Sequence, residues 1–267
     1  MLRRLFQRRG TENAARPSLG GRPPSVPGGA RVYVIGDIHG RLDLLCQIEQ
    51  LILADLARSG RPPRLYAVYL GDYVDRGPSS RAVLDHLSRN PLPGFARVFL
   101  MGNHDLWFRD FLEGFPVGDV WLDNGGEATL ASYGVELDPL LDPQERWARA
   151  RLDLLDRLPS AHRTFLERLE LAFGFGDYFF CHAGVRPGVP LEAQNPIDLL
   201  WIREPFLSFS GEFGKIVVHG HTPQPEPVVR PNRIGIDTGA CWTGRLTCLV
   251  LEGTDYRFLT TLGGEAE

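Results

Sequence analysis

The chain has 267 residues, 43% of them hydrophobic, with a formal net charge of −4. That is enough apolar material for one full core, yet no apolar run is long enough to span a bilayer. The charge is uneven, +5 over residues 1–30 and −9 over the remainder, and an acidic body excludes a nucleic-acid groove as the main functional surface. Four cysteines, Cys46, Cys181, Cys241 and Cys248, form no Cys-x-x-Cys pair, which places the chain in a reduced, cytoplasmic setting.

Residues 1–29 are rich in Arg, Pro and Gly and close on Arg22-Pro23-Pro24-Ser25-Val26-Pro27-Gly28-Gly29. Such a stretch buries too little apolar surface to order itself, so a disordered tail is expected over 1–29, ahead of a catalytic body over 30–267. From Arg31 a strand–loop–helix pattern repeats. Val32 to Ile35 reads as a strand and ends at Gly36-Asp37-Ile38-His39-Gly40. A helical stripe of apolar residues follows at 42, 45, 48, 52 and 56. The strand Leu65–Leu70 runs into Gly71-Asp72-Tyr73-Val74-Asp75-Arg76-Gly77, and Pro78 opens a helix over about 79–89. A third strand, Arg97–Met101, leads into Gly102-Asn103-His104-Asp105.

Three successive β–loop–α units predict a layered α/β core. In such sheets ligands bind beyond the carboxyl ends of strands, where all three polar clusters fall. Residues 114–170 read as a helical cap or rim, with helices over 127–133, 142–157 and 161–169 and no candidate metal ligand. His86 and His162 fall on helix faces expected to be exposed. Beyond Leu169 the strands Leu171–Phe175, Tyr178–Cys181, Ile216–His219, Arg233–Ile236, Leu246–Leu251 and Tyr256–Leu259 predict a second sheet packed on the first.

Asp37 and His39, two residues apart, point the same way on an extended backbone. Asp72, Asn103, His104, His182, His219 and His221 also follow strands. Carboxylate, amide and imidazole donors without a thiolate suit a dinuclear site for hard or borderline divalent ions, with Mn, Fe and Zn all admitted. His219 and His221 both remain candidates on spacing alone.

These segments, with Cys181-His182-Ala183-Gly184 and Gly220-His221-Thr222-Pro223, closely resemble the phosphoprotein-phosphatase branch of the calcineurin-like metallophosphoesterases. Ile236-Asp237-Thr238-Gly239-Ala240 is further similar to the small bacterial and lambda-phage-type serine/threonine phosphatases. The resemblance runs from about Arg31 to about Leu251. It implies a layered β-sandwich of two mixed sheets flanked by helices, two divalent metal ions (Mn first, Fe or Zn as alternatives), and attack on phosphorus by a metal-held hydroxide. Asp37, His39 and Asp72 would hold one ion, with Asp72 bridging. Asn103, His182 and His221 would complete the second, which selects His221 over His219.

The resemblance makes His104 the general acid, Asp75 its partner, and Arg76, Arg203 and Asn103 the phosphate contacts. It implies a phosphorylated protein or small phosphoester as substrate, with no nucleic-acid partner and no stable membrane insertion. Two departures matter. Asp105 with Leu106 is similar to bacterial diadenosine tetraphosphatases rather than to protein phosphatases, although those usually lack an acid matching Asp75. A further ligand common in other metallophosphoesterases would fall at Pro223, which cannot serve. Dinucleoside polyphosphate hydrolysis and a non-catalytic phosphate-binding role are therefore the alternatives.

Overall fold

The computed structural model describes residues 16–89 and 91–261. Strands β1 (Ala30–Ile35), β2 (Arg64–Tyr69) and β3 (Ala96–Phe99) alternate with helices α1 (Leu42–Ser59) and α2 (Ser80–Ser88), and α3 (Asn103–Glu113) follows β3. Helices α4 (Gly118–Asp123), α5 (Gly126–Ser132), α6 (Pro143–Arg157) and α7 (Ser160–Glu167) come next. The remaining elements are β4 (Ala172–Phe175), β5 (Tyr178–Cys181), α8 (Pro196–Trp201), β6 (Ile216–His219), β7 (Val228–Val229), β8 (Arg233–Gly235), α9 (Ala240–Thr243), β9 (Thr247–Glu252) and β10 (Asp255–Thr260).

Two mixed five-stranded sheets result, in the orders β10-β9-β1-β2-β3 and β4-β5-β6-β8-β7. Within the first, β1, β2 and β3 are parallel, and within the second so are β5, β6 and β8. Period-two alternation on β1 sends Val32 and Val34 to the inter-sheet core and Tyr33 and Ile35 to the helical side. The inter-sheet layer joins Val68, Leu70 and Val98 to Phe180, Val218 and Ile234, all buried. Each such side chain contributes about 1.5–3 kcal/mol on leaving water. A third cluster, with Phe179, Val217 and Phe206, covers the outer face of the second sheet.

Three expectations need correction. The strands near 246–251 and 256–259 are β9 and β10, and they extend the first sheet, β9 pairing antiparallel with β1. Alternating apolar runs specify a buried strand but not which sheet edge receives it. Of the tail, the described residues 16–29 pack on the body: Val26 is buried in the inter-sheet core, and Arg22 and Ser25 both bind the Asp177 carboxylate. Its polar groups find partners on the β4–β5 turn, which composition does not reveal. Met1–Phe6 lies outside the described residues. His162 is fully buried, sandwiched between the Tyr133 hydroxyl at 2.7 Å and Asp85 at 3.2 Å, and His86 is half-buried against Glu49 at 2.7 Å. In both cases an apolar helix face carries a polar group that pairs inside. No helix among the described residues is long and apolar enough to cross a membrane.

Candidate active site

Every parallel strand delivers polar groups at its carboxyl end, and the ends of both sheets meet. Asp37 and His39 follow β1, Asp72 follows β2, and Asn103 and His104 open α3 after β3. His182 follows β5, His221 follows β6 and Asp237 follows β8. Except for the exposed Arg203 and the part-buried Arg76, all the expected site residues are buried.

The local backbone is built around close approaches. A Cβ on Gly102 would collide with Asp72, and one on Gly220 with the Asp37 carboxylate. Asp105 knots the loops together: its carboxylate accepts from the N–H groups of Gly102, Asp72 and Tyr73 at 2.8–3.0 Å. That explains an acid at this helix position, three residues after the capping glycine. Among the described residues, five that are not glycine adopt left-handed φ, between 45° and 73°: His39, Asp72, Asp75, Arg76 and His221. Each such conformation costs about 1–3 kcal/mol and persists only where surroundings over-determine it. All five belong to this one site.

Lone pairs converge here without protons between them. His182 Nδ1 donates to the Leu70 carbonyl at 2.9 Å, which leaves Nε2 a bare acceptor. That atom faces Asn103 Oδ1 at 2.9 Å and Asp72 Oδ2 at 3.5 Å, acceptors both. His39 Nδ1 likewise donates to Val74 O, aiming Nε2 at Asp72 Oδ2, 3.3 Å away. His221 Nδ1 lies 2.9 Å from Asn103 Oδ1, while its buried Nε2 and Asp37 Oδ1 have no hydrogen-bond partner among the described residues. Asp72 belongs to two compact groups, one with His39 and His104 and one with Asp37 and His182. Donor atoms within each group lie within 4.8 Å of one another.

Electrostatics give the same picture. Burial pushes the Asp37 carboxyl well above its ordinary value, and Asp237 and Asp72 push it further. Burial also works against the charged form of Asp72, but His182, His104 and His39 together hold it well below the usual range. Burial drives His221 down to about 2 and His219 to about 4, so both are neutral. Buried carboxylates and imidazoles gathered in this way are the donor set that could hold a divalent cation. The imidazole orientations fixed by backbone carbonyls are those a metal ligand needs.

The structure groups His104 with His39 and Asp72, but both of its ring nitrogens are engaged. Nδ1 is 2.7 Å from Asp75 Oδ2, and Nε2 receives Arg76 Nη2 at 3.0 Å. Arg76 Nη1 also reaches His39 Nε2 at 2.7 Å. Arg203 follows α8 and is exposed, within electrostatic reach of His221. His219 turns away, its Nδ1 on the Gly220 carbonyl and its ring against Phe206.

Sequence reasoning missed several groups. Asp75 is held by the cap-like helices: Trp121 Nε1 reaches both of its oxygens at 2.9–3.0 Å, and Thr129 Oγ1 donates to Oδ1 at 2.7 Å. The Asp75 N–H binds Ser80 and Thr129. Asp237 adds a third buried carboxylate to the pair Asp37 and Asp72, fastened by the Gly239 N–H. Trp107 packs on His104, Trp201 on His221, and the Arg76 guanidinium lies over Trp242. The threonine and tryptophans carry no motif of their own; only the chain's return to the site identifies them.

Residues 30–252 match the family model for calcineurin-like phosphoesterases. The chain belongs to that family. This phosphoesterase is 26% identical over 241 residues to an asymmetrical bis(5′-nucleosyl)-tetraphosphatase of Bacillus anthracis, an alignment covering 81% of this chain and 88% of the relative. It is 29% identical over 231 residues to serine/threonine-protein phosphatase 2 of Escherichia coli, covering 81% and 90%. A crystal structure assigned provisionally as a diadenosine tetraphosphatase superposes with a TM-score of 0.57 at 22% identity, covering 94% of this chain and all of that one. That likeness supports the layered two-sheet fold.

Proposed function

We propose that this metallophosphoesterase hydrolyses phosphomonoesters of alkyl alcohols, with phosphoserine and phosphothreonine in proteins as the leading substrates. The observation that carries the reading is the buried His104–Asp75 pair beside Arg76. An alkoxide is a poor leaving group and needs a proton, whereas a phosphoanhydride leaves without one.

The acceptor set fits two divalent ions, Mn first. Asp37, His39 and Asp72 would hold one, and Asp72 with Asn103, His182 and His221 the other. Bound there, the ions supply Lewis acidity and lower the pKa of water. The protein's own groups do the rest. Arg76, lying between His39 and His104, moves its guanidinium fork onto the phosphate oxygens and releases His104 Nε2. Exposed Arg203 meets the same phosphate from outside, and Asn103 borders it. His104 then carries a proton on Nε2 and passes it to the departing oxygen, while Nδ1–H stays on Asp75. Asp75 fixes the orientation of the ring through that bond, and Trp121 and Thr129 hold its carboxylate in place.

A second reading, hydrolysis of dinucleoside polyphosphates, draws on the exposed indole of Trp242 beside Arg76 and on the relationship to a nucleosyl-tetraphosphatase. Side-by-side rates with Mn on a phosphoserine peptide and diadenosine tetraphosphate separate the two. The first reading predicts the higher kcat/KM on the peptide, and a strong preference for the nucleotide overturns it.

A further inference from the structure

Trp242 is a large apolar side chain that this fold leaves in water. It is 60% exposed, although it sits in the one-turn helix α9, beside the candidate metal centre. A solvated indole is expensive unless something covers it. One face is already used: the Arg76 guanidinium carbon lies 4.8 Å from the ring centroid.

The mount is firm. The Gly239 N–H is fixed by Asp237, Thr243 Oγ1 lies within 3.0 Å of both the Thr238 and Gly239 carbonyls, and Arg41 Nη1 holds the Ala240 carbonyl at 3.1 Å. The indole also rests on Gly239, where an added Cβ would come within 3.2 Å of its Cε3. A ring so mounted has lost little freedom to lose again on binding. Trp242 therefore presents a largely exposed indole from a fixed turn, next to the arginine assigned to the phosphate.

We propose that Trp242 is a stacking platform for a planar aromatic group carried by the phosphate that Arg76 clamps. The inference rests on the reading of Arg76 as that clamp. The ring chemistry has two sources, a nucleobase or the phenyl ring of an aryl phosphoester. An aliphatic phosphoserine side chain gains nothing from the platform. The centre would thus discriminate among phosphoesters by what hangs from the phosphate, through a residue that touches neither metal nor phosphorus.

Calorimetric titration of the Mn-loaded full chain with non-hydrolysable ligand pairs tests this. One pair is α,β-methylene adenosine diphosphate against methylenediphosphonate, the other phenylphosphonate against methylphosphonate. Base–aromatic stacking predicts that the ring-bearing member of at least one pair binds about tenfold more tightly. In Trp242→Leu that advantage disappears while the ring-free member binds within about twofold of wild type, and Trp242→Phe restores part of it. Which pair shows the advantage identifies the source. Equal affinity within both wild-type pairs overturns the platform, and so does an equal loss for ring-bearing and ring-free ligands in Trp242→Leu. If the ring-free ligands bind wild type and Arg76→Ala alike, the clamp itself is refuted, a different outcome from loss of the ring advantage.

Discussion

Asp75 gathers a ring N–H, an indole N–H and a hydroxyl on two buried oxygens. A carboxylate so surrounded keeps its position, and through it His104 keeps its orientation. Asp75→Asn is expected to slow hydrolysis of an alkyl phosphoester by roughly 10²–10⁴-fold. Trp121→Phe removes one donor to a charged group and should slow the same reaction by about tenfold or more. Both variants should spare p-nitrophenyl phosphate, whose leaving group needs little proton assistance. Equal losses on alkyl and aryl esters would mean that these residues support only the fold.

His162 tests burial at the same scale. Desolvation holds its pKa below the ordinary value despite Asp85. A folded-state pKa depressed in this way means that the unfolded chain takes up more protons below about pH 6.5. The contribution to stability is therefore present above that pH and lost as pH falls. His162→Gln should flatten the fall in stability between pH 7 and 5, by at most about 1.4 kcal/mol per pH unit. Denaturant midpoints across that range measure it, and an unchanged slope would show that His162 binds its proton equally in the folded and unfolded chains.

Among the elements, the three β–loop–α units were legible because each strand stops at a glycine beside a ligand-type residue. Asp37, His39, Asp72, Asn103, His182 and His221 do converge, along with His104, Asp75 and Arg76. What was not legible is the contribution of α4 and α5. Trp121 and Thr129 lie in a stretch without recognisable pattern, and their role appears only when the helices fold back on Asp75. Assignment of β9 and β10 to the wrong sheet has a related cause, since pairing partners are set by tertiary packing rather than by the strand's own residues. The tight loops yield a prediction of their own. Gly220→Ala places a methyl group against the Asp37 carboxylate. It should abolish Mn-dependent phosphate release while far-UV circular dichroism stays native, and retention of full activity would mean that Asp37 is free to move.

Across the whole molecule, the carboxyl ends of two parallel strand triplets meet in one cluster of facing acceptor atoms, left-handed backbone and buried carboxylates. A ligand that binds this cluster stabilises the fold by mass action. Mn at one hundred times its dissociation constant would add about 2.7 kcal/mol, which for a chain of this size corresponds to a rise in Tm of about 5–10 °C. A chelator should reverse the shift, and Asp72→Asn should lose it. No shift on adding Mn, Fe or Zn would contradict a metal role for the cluster.

The most direct test is the metal content of the purified chain after reloading with Mn, read by plasma mass spectrometry alongside phosphate release from a phosphoserine peptide. About two ions per chain are expected, with loss of both metal and activity in Asp72→Asn, since that carboxylate would serve both ions. A wild-type chain that hydrolyses the peptide without metal, or an Asp72→Asn variant that keeps two ions and full activity, would contradict this.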